Sequence, residues 1–264
     1  MPRIIVFGNQ KGGTGKSTLA MHLVVSLLLR GDKVATVDVD ARQGTFSRYI
    51  ENREKTKKEY KNIATPFHTP LFDSKTDLIS SMEKENYLAF SELVSTLKNY
   101  DYIVVDTPGN DSNLSQIAHS FADVIITPMN ESFIDLDLLV RIDESSTNNL
   151  KPSSYAAMVW NQKKERAMRD KGTIDWIVLV NRMSNIISKN RQEFDKILAA
   201  LSKRIGFRLA RGFKERVIFR ELFTSGLTLL DKDVAVAQMS LSHIAARQEL
   251  NDLLKTLNIT NSDD

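Results

Sequence analysis

Cysteine is absent from the 264 residues. That single absence excludes disulfides, thiolate metal sites, iron–sulfur clusters and cysteine nucleophiles. No apolar run approaches the ~20 residues of a membrane span. The short apolar stretch at the N-terminus lacks a signal-peptide pattern, so a soluble, cytoplasmic protein is expected. Glycine/serine-rich linkers and internal repeats are also missing, and one domain over residues 1–264 is the expectation. No motif for reading bases is visible.

What is present starts at the N-terminal end, with MPRIIVFGNQKGGTGKST. Arg3–Gly8 reads as a short buried strand. Ser17–Arg30 places Leu19, Leu23 and Leu27 at helical spacing. Between them, Gly12, Gly13 and Gly15 sit beside Lys11 and Lys16. Glycines crowded in this way cost backbone entropy, and two lysines in one turn repel. An anion at the helix N-terminus offsets both, because free N–H groups and the helix dipole favour phosphate there. Gly12, Gly13, Thr14, Gly15, Lys16, Ser17 and Thr18 are therefore the expected nucleotide-phosphate cradle. Lys16 would reach the terminal phosphates and the Ser17 hydroxyl would ligate Mg²⁺. The loop departs from G-x-x-x-x-G-K-[ST] in having Gln10 at the first glycine position, and it carries the extra Lys11.

Further apolar strands are expected at Lys33–Asp38, Asp101–Asp106, Asp123–Thr127 and Asp175–Val180. Helices are expected at Tyr87–Leu97, Asn113–Phe121, Ser188–Ile205, Arg216–Phe223 and Ser240–Leu257. Near-continuous apolar strands alternating with helices predict an α/β fold, a mostly parallel twisted sheet covered on both faces. Glu51–Ser81 reads as an exposed helix followed by a variable loop. Phe133 and Phe219 read as core residues. The last helix, with Ile244, Leu250, Leu253, Leu254 and Leu257, reads as a packed core helix and not a membrane-surface one.

Ligands of α/β sheets bind beyond the carboxyl ends of the strands. Asp106 closes YIVVD there and is expected to hold the Mg²⁺ hydration shell, with Pro108-Gly109 opening a loop able to sense the γ-phosphate. VDVD places Asp38 and Asp40 on one side of an extended segment. Asp38 is expected near Mg²⁺ and Asp40 at the attacking water.

KGGTGKST, VDVD and VVDTPG, in that order, resemble the deviant-Walker-A ATPases, the ParA/MinD family of P-loop NTPases. Stretches such as ITPMNESFIDLD, DWIVLVNR and VIFRELFTSGLTLLD are most similar to its division-plane-positioning members. The resemblance implies ATP and Mg²⁺ as cofactors and a homodimer sandwiching ATP, with Lys11 crossing to the partner's nucleotide. It matches Asp40 to the switch I aspartate and Asp106 to the Walker B aspartate. It places Asn181 near the adenine. It also implies non-specific DNA binding by the dimer, a ParB-like centromere-binding partner, inhibition of FtsZ assembly, and a nucleoid-associated location. The residues agree on one point: no arginine finger lies beside the loop, and Lys11 cannot easily serve the same phosphate as Lys16.

Residues 151–220 hold 17 Lys and Arg against 6 Asp and Glu, whereas the whole chain is only +3. Such a local excess can attract polyanions. Arg182, Lys189, Arg191, Arg211, Lys214, Arg216 and Arg220 are the candidate DNA contacts, with an ordinary solvated surface as the alternative. Two other functions stay open: a ParA-type partitioning ATPase, and a small-molecule ligase of the dethiobiotin synthetase type.

Overall fold

Along the first strand, β1 (Arg3–Phe7), Ile4 and Val6 enter one hydrophobic core and Ile5 and Phe7 enter another. Side chains of a strand alternate between faces, so a strand apolar at both must be covered twice. The same holds for β2 (Val34–Asp38), β4 (Tyr102–Asp106), β5 (Val124–Asn130) and β8 (Asp175–Asn181). The computed structural model describes residues 1–40, 43–76, 78–142, 150–183, 189–231 and 241–258.

These strands join β3 (Phe67–Pro70) and β9 (Arg208–Arg211) in a seven-stranded sheet of order β3-β2-β4-β1-β5-β8-β9. Every pairing is parallel. A small antiparallel ribbon, β6 (Val140–Ile142) with β7 (Leu150–Pro152), stands apart. The α/β doubly covered sheet expected from the strand pattern is what the chain forms. β3 lies inside the stretch read as a loop, and β9 is a further strand; each is an edge with little buried side-chain surface.

One face carries α1 (Lys16–Leu29), α2 (Thr45–Glu59), α7 (Ile218–Thr224) and α8 (Leu241–Thr256). The other carries α3 (Ile79–Thr96), α4 (Asn113–Phe121), α5 (Ser154–Asp170) and α6 (Lys189–Ile205). Helix α1 is buried from Leu19 to Leu27, as a helix apolar all round should be. In α8, Ala246, Leu250, Leu253 and Leu254 bury against this core, with Leu257 just beyond, whereas Ile244 stays exposed. The packed-helix reading therefore fits all the apolar positions but that one. No described helix is long and apolar enough to cross a membrane. Helix α5 has no counterpart among the sequence expectations. It buries only Tyr155, Ala156, Met158 and Val159, all near its start.

Candidate nucleotide-binding site

The order reverses direction at β1, whose neighbours β4 and β5 lead to either side. Loops leaving the carboxyl edge there open a crevice. The glycine loop fills it. Gly13 and Gly15 take left-handed backbone with φ of 73° and 88°, and Gly15 is the N-cap of α1 with no side chain capping the first turn. The helix thus offers its free N–H groups to a ligand. Lys16, at the start of the helix, is buried and its Nζ donates to the carbonyls of Asn9 and Lys11, at 3.3 and 3.2 Å. Burial lowers its pKa, against the opposing charges of Asp106 and Asp40. Asn9, absent from the sequence-level site, fixes the start of the loop. Its amide nitrogen donates to Pro128 O and its carbonyl oxygen accepts from Lys11 N at 2.6 Å.

Ser17 Oγ donates to Asp106 Oδ2 at 2.6 Å, so the structure brings these two residues together at the loop. The other oxygen, Asp106 Oδ1, is buried with no hydrogen-bond partner. Burial pushes the carboxyl up to about 7, despite the Ser17 bond. An orphaned carboxylate oxygen beside a hydroxyl suits a hydrated Mg²⁺. Among the described residues no group of three acidic or histidine side chains could cage a metal alone. That too fits Mg²⁺, which takes few protein ligands and relies on phosphates and water. Thr107 anchors the strand end, its Oγ1 donating to Phe7 O at 2.8 Å. The following loop passes close over the cradle: a Cβ on Gly109 would come within 2.9 Å of Gly12 N.

Asp38 has a different setting from the expected metal position. Oδ1 accepts the amide of Asp40 at 2.9 Å, and Oδ2 accepts the amide and hydroxyl of Ser47 at 2.9 and 2.8 Å. Three donors commit both oxygens, so Asp38 ties β2 to α2 and aims the Asp40 segment. Asp40 is half-buried, and burial, followed by the charge of Asp38, raises its pKa. Lys11 bends back onto its own chain. Its Nζ donates to Ile134 O at 2.7 Å and pairs with Asp135 Oδ1 at 3.1 Å. Asp135 lies in a 3-10 helix, Phe133–Leu138, and its other oxygen accepts Asn130 N. Sequence reasoning missed Asp135, whose only signal is the stretch ESFIDLD. Phe133, expected in the core, is 43% exposed and meets Phe194 edge-on at 5.9 Å.

Beside the loop a cleft of about 370 Å³ is lined by Gly15, Thr18, Asn181, Phe213, Phe219 and Phe223, among others. Phe219 and Phe213 stack at 4.7 Å. Phe219 is therefore a wall of the cleft as well as a neighbour of the core. Asn181 does not present a free amide to this space. Nδ2 donates to Thr14 O at 2.8 Å and Oδ1 accepts Phe213 N at 2.9 Å. It clasps the glycine loop to the β9 side, and Gly15 leaves it the room, since a Cβ there would collide with Nδ2.

Of the DNA candidates, Arg182, Lys214, Arg216 and Arg220 line this same cleft. Arg182 holds a left-handed φ of 49°. Arg216 is bidentate on Glu249 at 2.5 and 2.8 Å, Arg211 pairs with Asp195 at 3.0 Å, and Arg191 pairs with Glu131 at 3.6 Å. Three of the seven are thus held by acids. Lys189 stands exposed at the start of α6.

The profile of the ATPase MipZ family matches residues 3–261. The chain belongs to the ATPase MipZ family. This MipZ-family chain is 27% identical to the chromosome-partitioning ATPase Soj of Treponema pallidum over 52% of its own length and 60% of the relative's. It is 28% identical to the septum site-determining protein MinD of Helicobacter pylori over 57% and 62%. These matches thus span less than two thirds of either relative. A Borrelia burgdorferi B31 protein described as a plasmid partition protein, bound to AMPPNP, superposes with a TM-score of 0.61 at 21% identity, covering 97% of this chain and 100% of that one. The likeness shows the shared fold, and the resemblance to ParA/MinD ATPases read from the motifs is borne out.

Proposed function

We propose that the protein is an ATP-hydrolysing switch that dimerises on ATP, binds DNA without sequence preference as a dimer, and positions cell division by inhibiting FtsZ assembly near a ParB-like protein on chromosome origins. The observation that carries the catalytic part is the Ser17–Asp106 pair at 2.6 Å, with its free carboxylate oxygen, beside an uncapped helix N-terminus and buried Lys16. Bound Mg²⁺ would neutralise charge on the β- and γ-phosphates. Ser17 and Asp106 would hold it, and the amides of Gly12–Thr18 would cradle the phosphates. Lys16 would exchange its loop carbonyls for phosphate oxygens. Asp40 would orient the attacking water, which matters more than basicity because positioning dominates phosphoryl transfer. Lys11 would leave Asp135 and reach the nucleotide of a second subunit, stabilising the charge that develops there.

The test is ATP turnover together with size-exclusion chromatography of wild type and Asp40→Ala. Wild type should turn over ATP, and the variant should bind ATP, hydrolyse it poorly and accumulate as dimer. A variant that stays monomeric, or hydrolyses at the wild-type rate, contradicts the reading. A second reading, a partitioning ATPase, is favoured by the similarity to Soj. An FtsZ assembly assay separates the two: a partitioning ATPase leaves polymerisation unchanged.

A further inference from the structure

Three loop-bearing elements meet at one buried point behind the phosphate cradle. The first is Gly8, the residue between β1 and the loop, whose amide donates to Ile126 O at 3.0 Å. The second is His119 on α4, the helix entered directly from the loop that follows Asp106. It packs so close to Gly8 that a Cβ there would collide with its ring. The third is Tyr155 in the first turn of α5, 1% exposed, whose hydroxyl donates to Gly8 O at 2.8 Å.

The protons at this point can be assigned. Trp176 Nε1–H donates to Thr127 Oγ1 at 3.0 Å. Thr127 lies 2.8 Å from Tyr155 Oη. Tyr155 has one proton, and the Gly8 carbonyl can only accept it, so Thr127 donates to Tyr155. The chain therefore runs one way: Trp176, Thr127, Tyr155, Gly8. His119 Nδ1 faces Ser115 O at 2.7 Å and so carries the ring proton. Nε2 is then bare and makes only a weak 3.4 Å approach to Tyr155. All four side chains are buried, where a hydrogen bond is stronger and a lost partner costs more.

Tyr155 also connects to Lys11 by a short route. Ser153, the N-cap of α5, donates through its amide to Leu139 O at 3.0 Å and through its hydroxyl to Leu138 O at 2.5 Å. Those residues end the 3-10 helix in which Asp135 holds Lys11. One end of α5 is thus fixed both to the helix that holds Lys11 and to the base of the loop that carries it.

We propose that Tyr155 is a positioning residue for phosphate transfer, setting the phosphate loop through the Gly8 carbonyl. This rests on the ATPase reading above. The test is Tyr155→Phe, which keeps the ring and removes only the hydroxyl. ATP turnover should fall about tenfold, within the range that misplacement of reacting groups produces, with KM nearly unchanged and the melting temperature lowered only by the few degrees that one lost buried hydrogen bond accounts for. Amide hydrogen exchange of residues 9–17 without nucleotide should quicken by a similar factor. Thr127→Val should act in the same direction but less, and combined with Tyr155→Phe should add nothing. Unchanged exchange in the loop overturns the inference whatever the turnover shows. So does a loss of turnover that merely tracks a drop in melting temperature. If wild type neither binds nor hydrolyses ATP, the ATPase reading fails instead, and loop exchange alone decides the role of Tyr155.

Discussion

Asp106, Lys16 and the buried His22 and His119 make opposed demands on protons. Burial lifts the Asp106 carboxyl to about 7, whereas a free aspartate titrates near about 4. The folded chain therefore binds a proton there that the unfolded chain has released. Its contribution to stability is lost as pH rises from about 4 to about 7, by up to a few kcal/mol. His22 and His119 are pushed down to about 4 by burial. They act oppositely: their stabilising effect is present above pH ~6.5 and is lost as pH falls toward ~4. The informative quantity is thus a difference. In chelator, wild type minus Asp106→Asn should show a melting temperature declining from pH 4 to 7, and a flat difference contradicts the burial argument. With Mg²⁺ and a slowly hydrolysed ATP analogue, wild-type affinity should climb over the upper part of that range as the carboxyl ionises. Lys16→Ala should weaken binding of a fluorescent ATP analogue by about a hundredfold or more, the value of a charge-assisted contact or two. Near-native affinity would exclude Lys16 from the phosphates.

Among the elements, the 3-10 helix and α2 each hold a part of the site in place. The Lys11–Asp135 pair is partly exposed, with Lys11 33% accessible, so it is worth no more than ~1 kcal/mol. Asp135→Asn can still accept Asn130 N while weakening the hold on Lys11. If ATP drives dimerisation as proposed, the dimer should then form at several-fold lower protein concentration, measured by sedimentation; an unchanged midpoint would mean the pair does not oppose dimerisation. Helix α2, which follows the Asp40 segment, is tied to the C-terminal side by Arg53. That fully buried side chain is bidentate on Asp231 at 2.8 Å and donates to Gly226 O. Gly226 has φ of 65°, and a Cβ there would strike the Arg53 backbone. Gly226→Ala should therefore lower stability by at least ~2 kcal/mol, read as a fall in melting temperature. Central strands and α4 were legible in the sequence because continuous apolar runs and a 3.6-residue pattern report burial directly. The edge strands β3 and β9 were not, since FHTP and RLAR bury almost nothing. Helix α5 hid behind a run of charge. The glycine loop and Asp106 announce themselves by residue type and spacing. What Asn181 and Asp38 do is set by backbone amides from Phe213, Ser47 and Asp40, which spacing cannot place.

At the scale of the whole molecule, the basic segment divides by position. Part of it surrounds the cleft beside α1, and part runs along α6, where Lys189, Lys196 and Lys203 are exposed. Charge reversal at Arg216 would set it against Glu249 and confuse binding with folding. Lys189→Glu with Lys196→Glu is the cleaner test, away from the cleft beside α1. Duplex affinity with ATP should fall, and the slope of log affinity against log salt should flatten by about 1 for each phosphate contact removed. Unaltered binding would exclude α6 from the DNA contact proposed above. The parallel sheet has another consequence, in the time order of synthesis. β1 is made first, yet among the described residues its partners are β4 and β5, Arg3 against Tyr102 and Ile5 against Val124. The loop that follows it is clasped by Asn181, which is itself held by Phe213. At about 5–20 residues per second, the glycine loop waits roughly 10–40 s on the ribosome for the residues that shape it. On the ATPase reading, a product truncated before Asn181 would therefore carry the whole signature motif without the residues that hold it in shape.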